Sequence, residues 1–304
     1  MNYVKFEEKQ ILIDGLKINY KQIGDGNIPI ILLHGWGVSS DKYTETAKEL
    51  LRFTIYDLRF TIFIPDLPGF GKSDNPPEAW EVNDYVEFIR EFMQVQLGSR
   101  ASKSNLEAEL PSKKIILIGH SFGGRIAIKF AAKYPEKLKA LILTGAAGIK
   151  HPPTIKQKLF FALAKGGKVI FSLPLLNYLQ NSAQKLLYRL VREKDYYQTE
   201  GVMRETFKKI IAKDLTPFLE KISACGGSAE GGKTPTLLVW GAKDHSTPLS
   251  DAYIMKEKIS AFGGSAVGGE NCKFKIIFNA DHRLPYQEPQ EFAKIVMEFI
   301  KKSR

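Results

Sequence analysis

The 304-residue sequence predicts an α/β protein built on a mostly parallel sheet. Two observations carry that prediction. Short, nearly continuous apolar runs recur at residues 62–65, 114–118, 140–143, 236–240 and 274–278, as strands buried on both faces of a parallel sheet require. Around them, residues 43–51, 82–97, 125–133, 249–259 and 291–301 carry apolar side chains at helical spacing and supply the crossovers that parallel strands need.

The chain opens in a different style. Residues 3–8, 16–23 and 28–33 are rich in Ile and Tyr and are separated by Asp14-Gly15 and by Gly24-Asp25-Gly26, both turn-forming. Two antiparallel strands leading into a buried third are expected, which with the later runs gives an eight-stranded sheet. The alternation stops between Gly148 and Lys233, where no strand pattern is evident and helical segments rich in Leu, Phe, Tyr and Lys follow one another. A core domain of residues 1–147 and 233–304 is therefore expected, with a helical cap, residues 148–232, inserted into it.

Several stretches read as local additions. Residues 51–57 (LRFTIYD) are followed at once by a near copy, residues 58–64 (LRFTIFI). The segments 226–232 (GGSAEGG) and 263–269 (GGSAVGG) also resemble each other, and with little to bury they read as surface loops. Residues 99–112 are a polar insert before a strand.

Composition narrows the function classes. A hydrophobic fraction of 44% suits a globular protein with a substantial core. The opening MNYVKFEEKQ lacks the apolar stretch of a signal peptide, so a cytoplasmic location is expected. No run reaches the roughly 18 apolar residues of a membrane span. Residues 159–179 come nearest, but Lys and Gly interrupt them and they read as part of a lid. Cys225 and Cys272 make neither a disulfide framework nor a zinc spacing, and no metal or organic cofactor is expected.

The net charge of +11 raises the question of nucleic acid. Most of the excess sits between Lys150 and Lys233, with 15 Lys/Arg against 7 Asp/Glu, and no nucleic-acid module surrounds it. It reads as a solvated lid face, compatible with weak surface attraction to acidic headgroups and with no stable membrane insertion.

The chemistry concentrates in KKIILIGHSFGGRIAIKFAAKYP, where an apolar strand meets an amphipathic helix through Gly119-His120-Ser121-Phe122-Gly123. A serine at so tight a turn needs small residues two before and two after it, and its hydroxyl is exposed at the sheet edge over a helix N-terminus. Serine alone is a weak nucleophile, so a base is required. His34 and His120 lie within motifs that have other uses, His151 abuts Pro152-Pro153, and His245 follows a candidate acid. His282 lies just past a late apolar strand and is the expected base. Asp244, after the strand at 236–240, is the expected acid; Asp281 adjoins the histidine and Asp251 falls on a helix. His34-Gly35-Trp36-Gly37 follows the strand at 28–33, and the backbone amides of Trp36 and Phe122 are expected to form an oxyanion hole. On that reading the side chains of Trp36 and Phe122 are exchangeable in principle, and His34 braces its loop. Gly69-Phe70-Gly71-Lys72-Ser73 lacks the first glycine of a phosphate loop and reads as a structural turn.

The chain order Ser121, Asp244, His282, together with HGWG at 34–37, DLPGFGKSD at 66–74, GHSFGG at 119–124, VWGAKDHSTP at 239–248 and DHRLPYQEP at 281–289, resembles the alpha/beta hydrolase superfamily. One motif departs from the usual pattern, with Asp281 before the histidine and Arg283 after it. The resemblance implies a serine hydrolase with a helical cap acting on a small-molecule acyl substrate through an acyl-enzyme, with substrate contacts from the cap, residues 148–232. A carboxylic-ester hydrolase is the first expectation. Resembling proteins also cleave carbon–carbon bonds in dienoic diketone acids, for which Arg125, Arg189, Arg192 or Arg204 could anchor a carboxylate. A lipase-like member or a ligand-binding receptor are the further alternatives.

Overall fold

The computed structural model describes residues 5–53, 60–98, 114–151, 200–224, 234–261 and 272–303. Among these lie eight strands: β1 (Glu7–Ile13), β2 (Leu16–Ile23), β3 (Ile28–Leu33), β4 (Phe60–Pro65), β5 (Ile115–His120), β6 (Leu138–Thr144), β7 (Thr236–Gly241) and β8 (Cys272–Ile277). They form one sheet in the order β1-β2-β4-β3-β5-β6-β7-β8. Pairing is antiparallel for β1 with β2 and for β2 with β4, and parallel from β4 onward. The helices are α1 (Thr44–Arg52), α2 (Val82–Leu97), α3 (Phe122–Lys133), α4 (Gly201–Ala212), α5 (Thr216–Ala224), α6 (Leu249–Ala261), α7 (Leu284–Gln287) and α8 (Pro289–Lys302).

The apolar runs are continuous because each strand feeds two cores. In β5, Ile115 and Leu117 join one buried cluster while Ile116 and Ile118 join the other; in β3, Ile31 and Leu33 separate in the same way from Ile30 and Leu32. This two-residue alternation lets helices cover both faces of the sheet. Residues of α2, α3, α5 and α6 pack in the first cluster, and those of α1 and α8 in the second. Fully burying one such Ile contributes about 1.5–3 kcal/mol.

The first strand lies later than expected, at Glu7–Ile13 rather than residues 3–8. The turn explains the shift. Asp14 (φ 47°) and Gly15 (φ 80°) both have positive φ, so the hairpin has a two-residue loop and Ile13 must face Leu16 directly. The Glu and Lys side chains that obscured the strand face outward on a sheet edge, a common protection of edges. At the other end β8 stops at Ile277, leaving Phe278 75% exposed rather than closing the strand.

The seven-residue near copy adopts two conformations. Leu51 and Arg52 end α1, whereas Phe60–Ile64 is fully buried strand; residues 54–59 lie outside the described residues. Also outside them are Cys225, the insert at 99–112, the loops at 226–232 and 263–269, the apolar stretch at 159–179, and most of the expected cap. Cys272 is buried on β8. Among the described residues, no helix is long and apolar enough to cross a membrane.

Candidate active site

Parallel strands deliver their C-terminal ends to one edge, and open α/β sheets gather ligands there. The loops after β3, β5, β7 and β8 carry Trp36, Ser121, Asp244 and His282 to that edge.

Ser121 joins β5 to α3 with φ 52° and ψ −113°, a conformation that costs a non-glycine residue on the order of 1–3 kcal/mol. Its surroundings hold it there. Its carbonyl accepts the N–H groups of Gly124 (3.0 Å), Arg125 (3.3 Å) and Ala147 (3.0 Å), and its own N–H donates to the Thr144 carbonyl at 3.3 Å. The flanking glycines are required by contact: a Cβ on Gly119 would stand 2.6 Å from the Gly123 carbonyl oxygen, and one on Gly123 would stand 2.4 Å from that of Leu33.

The hydroxyl of Ser121 lies 3.0 Å from His282 Nε2, and His282 Nδ1 lies 2.8 Å from Asp244 Oδ2. Asp244 is buried and well supplied with donors. Its Oδ1 accepts the N–H groups of Ser246 and Thr247, both at 2.9 Å, and its Oδ2 accepts the Thr247 hydroxyl at 2.9 Å. Burial by itself would raise the pKa of Asp244, but the bonds from His282 and Thr247 outweigh it and hold the group below the ordinary aspartate value. The carboxylate is therefore ionised, Nδ1 of His282 donates to it, and Nε2 is left to accept from Ser121.

Trp36 and Phe122 line the same cavity as Ser121 and His282, a space of about 680 Å³. Phe122 opens α3, where the first N–H groups have no intrahelical acceptor. Gly123 N–H is taken by the His34 carbonyl at 3.0 Å, and Gly124 and Arg125 by Ser121, which leaves the Phe122 amide beside the hydroxyl. Both side chains also pack in an aromatic cluster that the sequence reading did not foresee. The Trp36 ring meets Phe70, Phe122 and Phe207 at centroid separations of 4.8, 5.2 and 4.9 Å, and Phe122 also meets Tyr85 at 5.0 Å. Composition around HGWG gives no sign of this cluster, whose members come from five separate segments.

Most of the remaining candidate histidines and acids are engaged elsewhere, and His245 is exposed beside Asp244. His34 Nδ1–H donates to the Gly35 carbonyl (2.7 Å) while Nε2 accepts Leu67 N–H (2.9 Å), the bracing role expected of it. Asp251 pairs with His151 at 2.6 Å, and Asp281 pairs with Arg283 at 2.6 Å. The two unusual neighbours of His282 thus neutralise each other. The turn at Gly69 and Gly71 is structural: Asp66 gathers the side-chain amide of Asn19 (2.9 Å) and the N–H groups of Ser40 (2.7 Å) and Lys72 (3.0 Å).

Within the expected cap, α4 supplies Phe207, Ile210 and Ile211 to the cavity wall. It is held by Arg125, whose Nη1 donates to the Ile210 and Lys213 carbonyls, each at 2.9 Å, and by Trp80 N–H, which donates to the Thr206 hydroxyl at 3.0 Å. Arg189 and Arg192 lie outside the described residues. Among the described residues, no group of three or more His, Cys, Asp or Glu is arranged to hold a metal.

A hydroxyl, an imidazole and a carboxylate in hydrogen-bonded series can carry out acyl transfer through a covalent intermediate. Residues 28–288 match the family model described as alpha/beta hydrolase fold. "Lipase 1" of Psychrobacter immobilis is 29% identical over 247 residues, covering 77% of this chain and 68% of that protein. The 2-hydroxy-6-oxo-6-phenylhexa-2,4-dienoate hydrolase of Comamonas testosteroni is 26% identical over 264 residues, 81% of each chain. Among solved structures, a bacterial membrane phospholipase A superposes with a TM-score of 0.66 at 24% identity, over 98% of this chain and 87% of that one, a likeness of fold. With the match spanning all but the two ends, the chain belongs to the alpha/beta hydrolase fold family.

Proposed function

We propose that the protein is a carboxylic-ester hydrolase with Ser121 as nucleophile, His282 as general base and Asp244 as the group that orients the base. The observation that carries this is the continuous hydrogen-bonded series at 3.0 and 2.8 Å, ending in a carboxylate held ionised by its neighbours. Ser121 Oγ attacks the ester carbonyl as its proton passes to His282 Nε2, and Asp244 stabilises the imidazolium. The oxyanion forms against the amides of Trp36 and Phe122, where each donor contributes roughly 2.7–4 kcal/mol to such a transition state. The proton on Nε2 then leaves with the alkoxide as alcohol. Water, deprotonated by the same nitrogen, attacks the acyl carbonyl and releases the acid and Ser121.

The cavity wall indicates an apolar acyl group. Trp36, Phe122, Phe207, Ile210 and Ile211 present rings and aliphatic chains beside the hydroxyl. A p-nitrophenyl ester series of increasing acyl length tests the proposal: turnover by the native protein and none by Ser121→Ala is expected, and equal turnover by both would refute it.

One observation favours a second substrate class. Arg125 is among the residues lining the cavity, and burial pushes its pKa down only to about 10, so it stays cationic and offers a carboxylate a positive charge. Cleavage of a carbon–carbon bond in a dienoic diketone acid would use such a contact, and the Comamonas relative is named for a substrate of that kind. Turnover of a ring-fission product well above that of simple esters would select this reading.

A further inference from the structure

His120 precedes Ser121 in the elbow and has no part in the acyl transfer described above. Its ring is buried beneath that of His282, with centroids 4.8 Å apart. His120 Nε2 lies 2.7 Å from the backbone carbonyl oxygen of His282, and Nδ1 lies 2.6 Å from the Tyr43 hydroxyl. A carbonyl can only accept, so Nε2 carries a proton and donates it. Burial foremost, and the neighbouring His282 next, push the His120 pKa down to about 3 against the pull of that carbonyl bond. The ring is therefore neutral, and Nδ1 accepts from Tyr43 O–H. Tyr43 is itself wholly buried, and burial raises its pKa, so the hydroxyl keeps its proton.

The same hydroxyl oxygen accepts Gly35 N–H at 3.4 Å, next to the Trp36 amide. A single imidazole thus links the loops after β3, β5 and β8. An apolar ring of similar size would fill the space equally well, but it would leave the His282 carbonyl and the Tyr43 hydroxyl without this partner. Leaving a buried polar group unpaired is unfavourable, so the choice of histidine here needs a reason.

The geometry points to His120 as a positioning residue: its Nε2–H, aimed by Tyr43 O–H, holds the backbone of His282 where the imidazole reaches Ser121 and Asp244 together. This rests on the assignment of His282 as base. Misplacing a reacting group by about 1 Å can cost on the order of 100-fold in rate, so a single backbone anchor at this point has leverage on kcat.

The test compares His120→Phe, which keeps a ring and loses the donor, with His120→Gln, whose amide nitrogen can occupy the place of Nε2 and donate. For p-nitrophenyl acetate, His120→Phe is expected to lose on the order of 100-fold in kcat with KM changed by less than about 2-fold, and His120→Gln to recover most of that loss. A role in filling space predicts the reverse order, Phe above Gln, and that order would overturn the proposal. Tyr43→Phe preserves volume and guards against misfolding of the His120 variants. It is expected to lower kcat several-fold, and full activity in Tyr43→Phe would also count against the anchor. Histidine 15N spectra of the native protein supply a direct check: His120 should remain a neutral Nε2–H tautomer from about pH 5 to 8, and titration in that range contradicts the account. Ser121→Ala separates the two levels of the argument. If Ser121→Ala is active, the assignment of the base falls; if it is inactive while both His120 variants match the native protein, the anchor alone falls.

Discussion

The carbonyl of His34 accepts the amide N–H of Gly123 at 3.0 Å, fastening the loop after β3 to the first turn of α3. That bond ties together the segments that carry Trp36 and Phe122, both of which line the cavity, and no room is left for a side chain at Gly123, where a Cβ would meet the Leu33 backbone. Gly123→Ala is expected to lose about 1–3 kcal/mol of stability, because the clash is with backbone and cannot be relieved by a rotamer change. Denaturant unfolding measures this, and an unchanged midpoint would mean that the two segments separate easily.

Asp244→Asn keeps the volume and removes the charge that sets the His282 tautomer. Its kcat is expected to fall by roughly 10³–10⁴-fold, with KM little changed. Steady-state kinetics on one ester decide this, and a loss below tenfold would remove Asp244 from the series.

The same carboxylate gives a pH dependence of stability. Its folded pKa is held below the ordinary value despite burial, by the bonds from His282 and Thr247. The resulting stabilisation is fully present above the unfolded aspartate pKa of about 3.9 and disappears as pH falls through the lower folded value. The stability of the native protein relative to Asp244→Asn should therefore decline as the pH is taken below about 4. Urea midpoints of both proteins from pH 3 to 7 test it, and a constant difference across that range contradicts it.

Arg125→Met keeps an apolar stem and removes both bonds to the end of α4. A loss of about 2 kcal/mol is expected from these charge-assisted bonds. Because α4 carries Phe207, Ile210 and Ile211, KM for apolar esters should rise more than kcat falls. Melting and kinetics measured together check this; a change in kcat alone would place Arg125 in the chemistry.

Trp36→Ala removes a ring that touches Phe70, Phe122 and Phe207 while leaving the backbone amide in place. About 2–3 kcal/mol of stability should be lost, less than for a fully buried tryptophan because Trp36 is partly exposed. Chemical unfolding gives the value, and a change under 0.5 kcal/mol, about that of an ordinary surface substitution, would show that the cluster contributes little.

The core was legible where side-chain pattern and environment coincide. Helix α2 begins and ends where its periodicity does, and the parallel strands read as apolar runs because both of their faces are covered. The first strand was displaced in the sequence reading because its Glu and Lys side chains, at home on an exposed edge, mask the alternation of Ile11 and Ile13. At the site, Ser121, Asp244 and His282 stand out because each follows a strand in a compact motif. Tyr43 does not: it lies before an amphipathic helix and meets His120 across 77 positions of sequence. Arg125 and His120 act on backbone carbonyls, which every residue possesses, so no side-chain pattern marks their partners. Thr247 was equally hidden, its role depending on the turn that folds it back onto Asp244.

The most direct test of the central claim is covalent labelling with a fluorophosphonate, followed by mass mapping of the modified residue. The account predicts a single adduct on Ser121, absent from Ser121→Ala and much slower to form in Asp244→Asn. An adduct on another residue, or ester turnover that survives in Ser121→Ala, would contradict it.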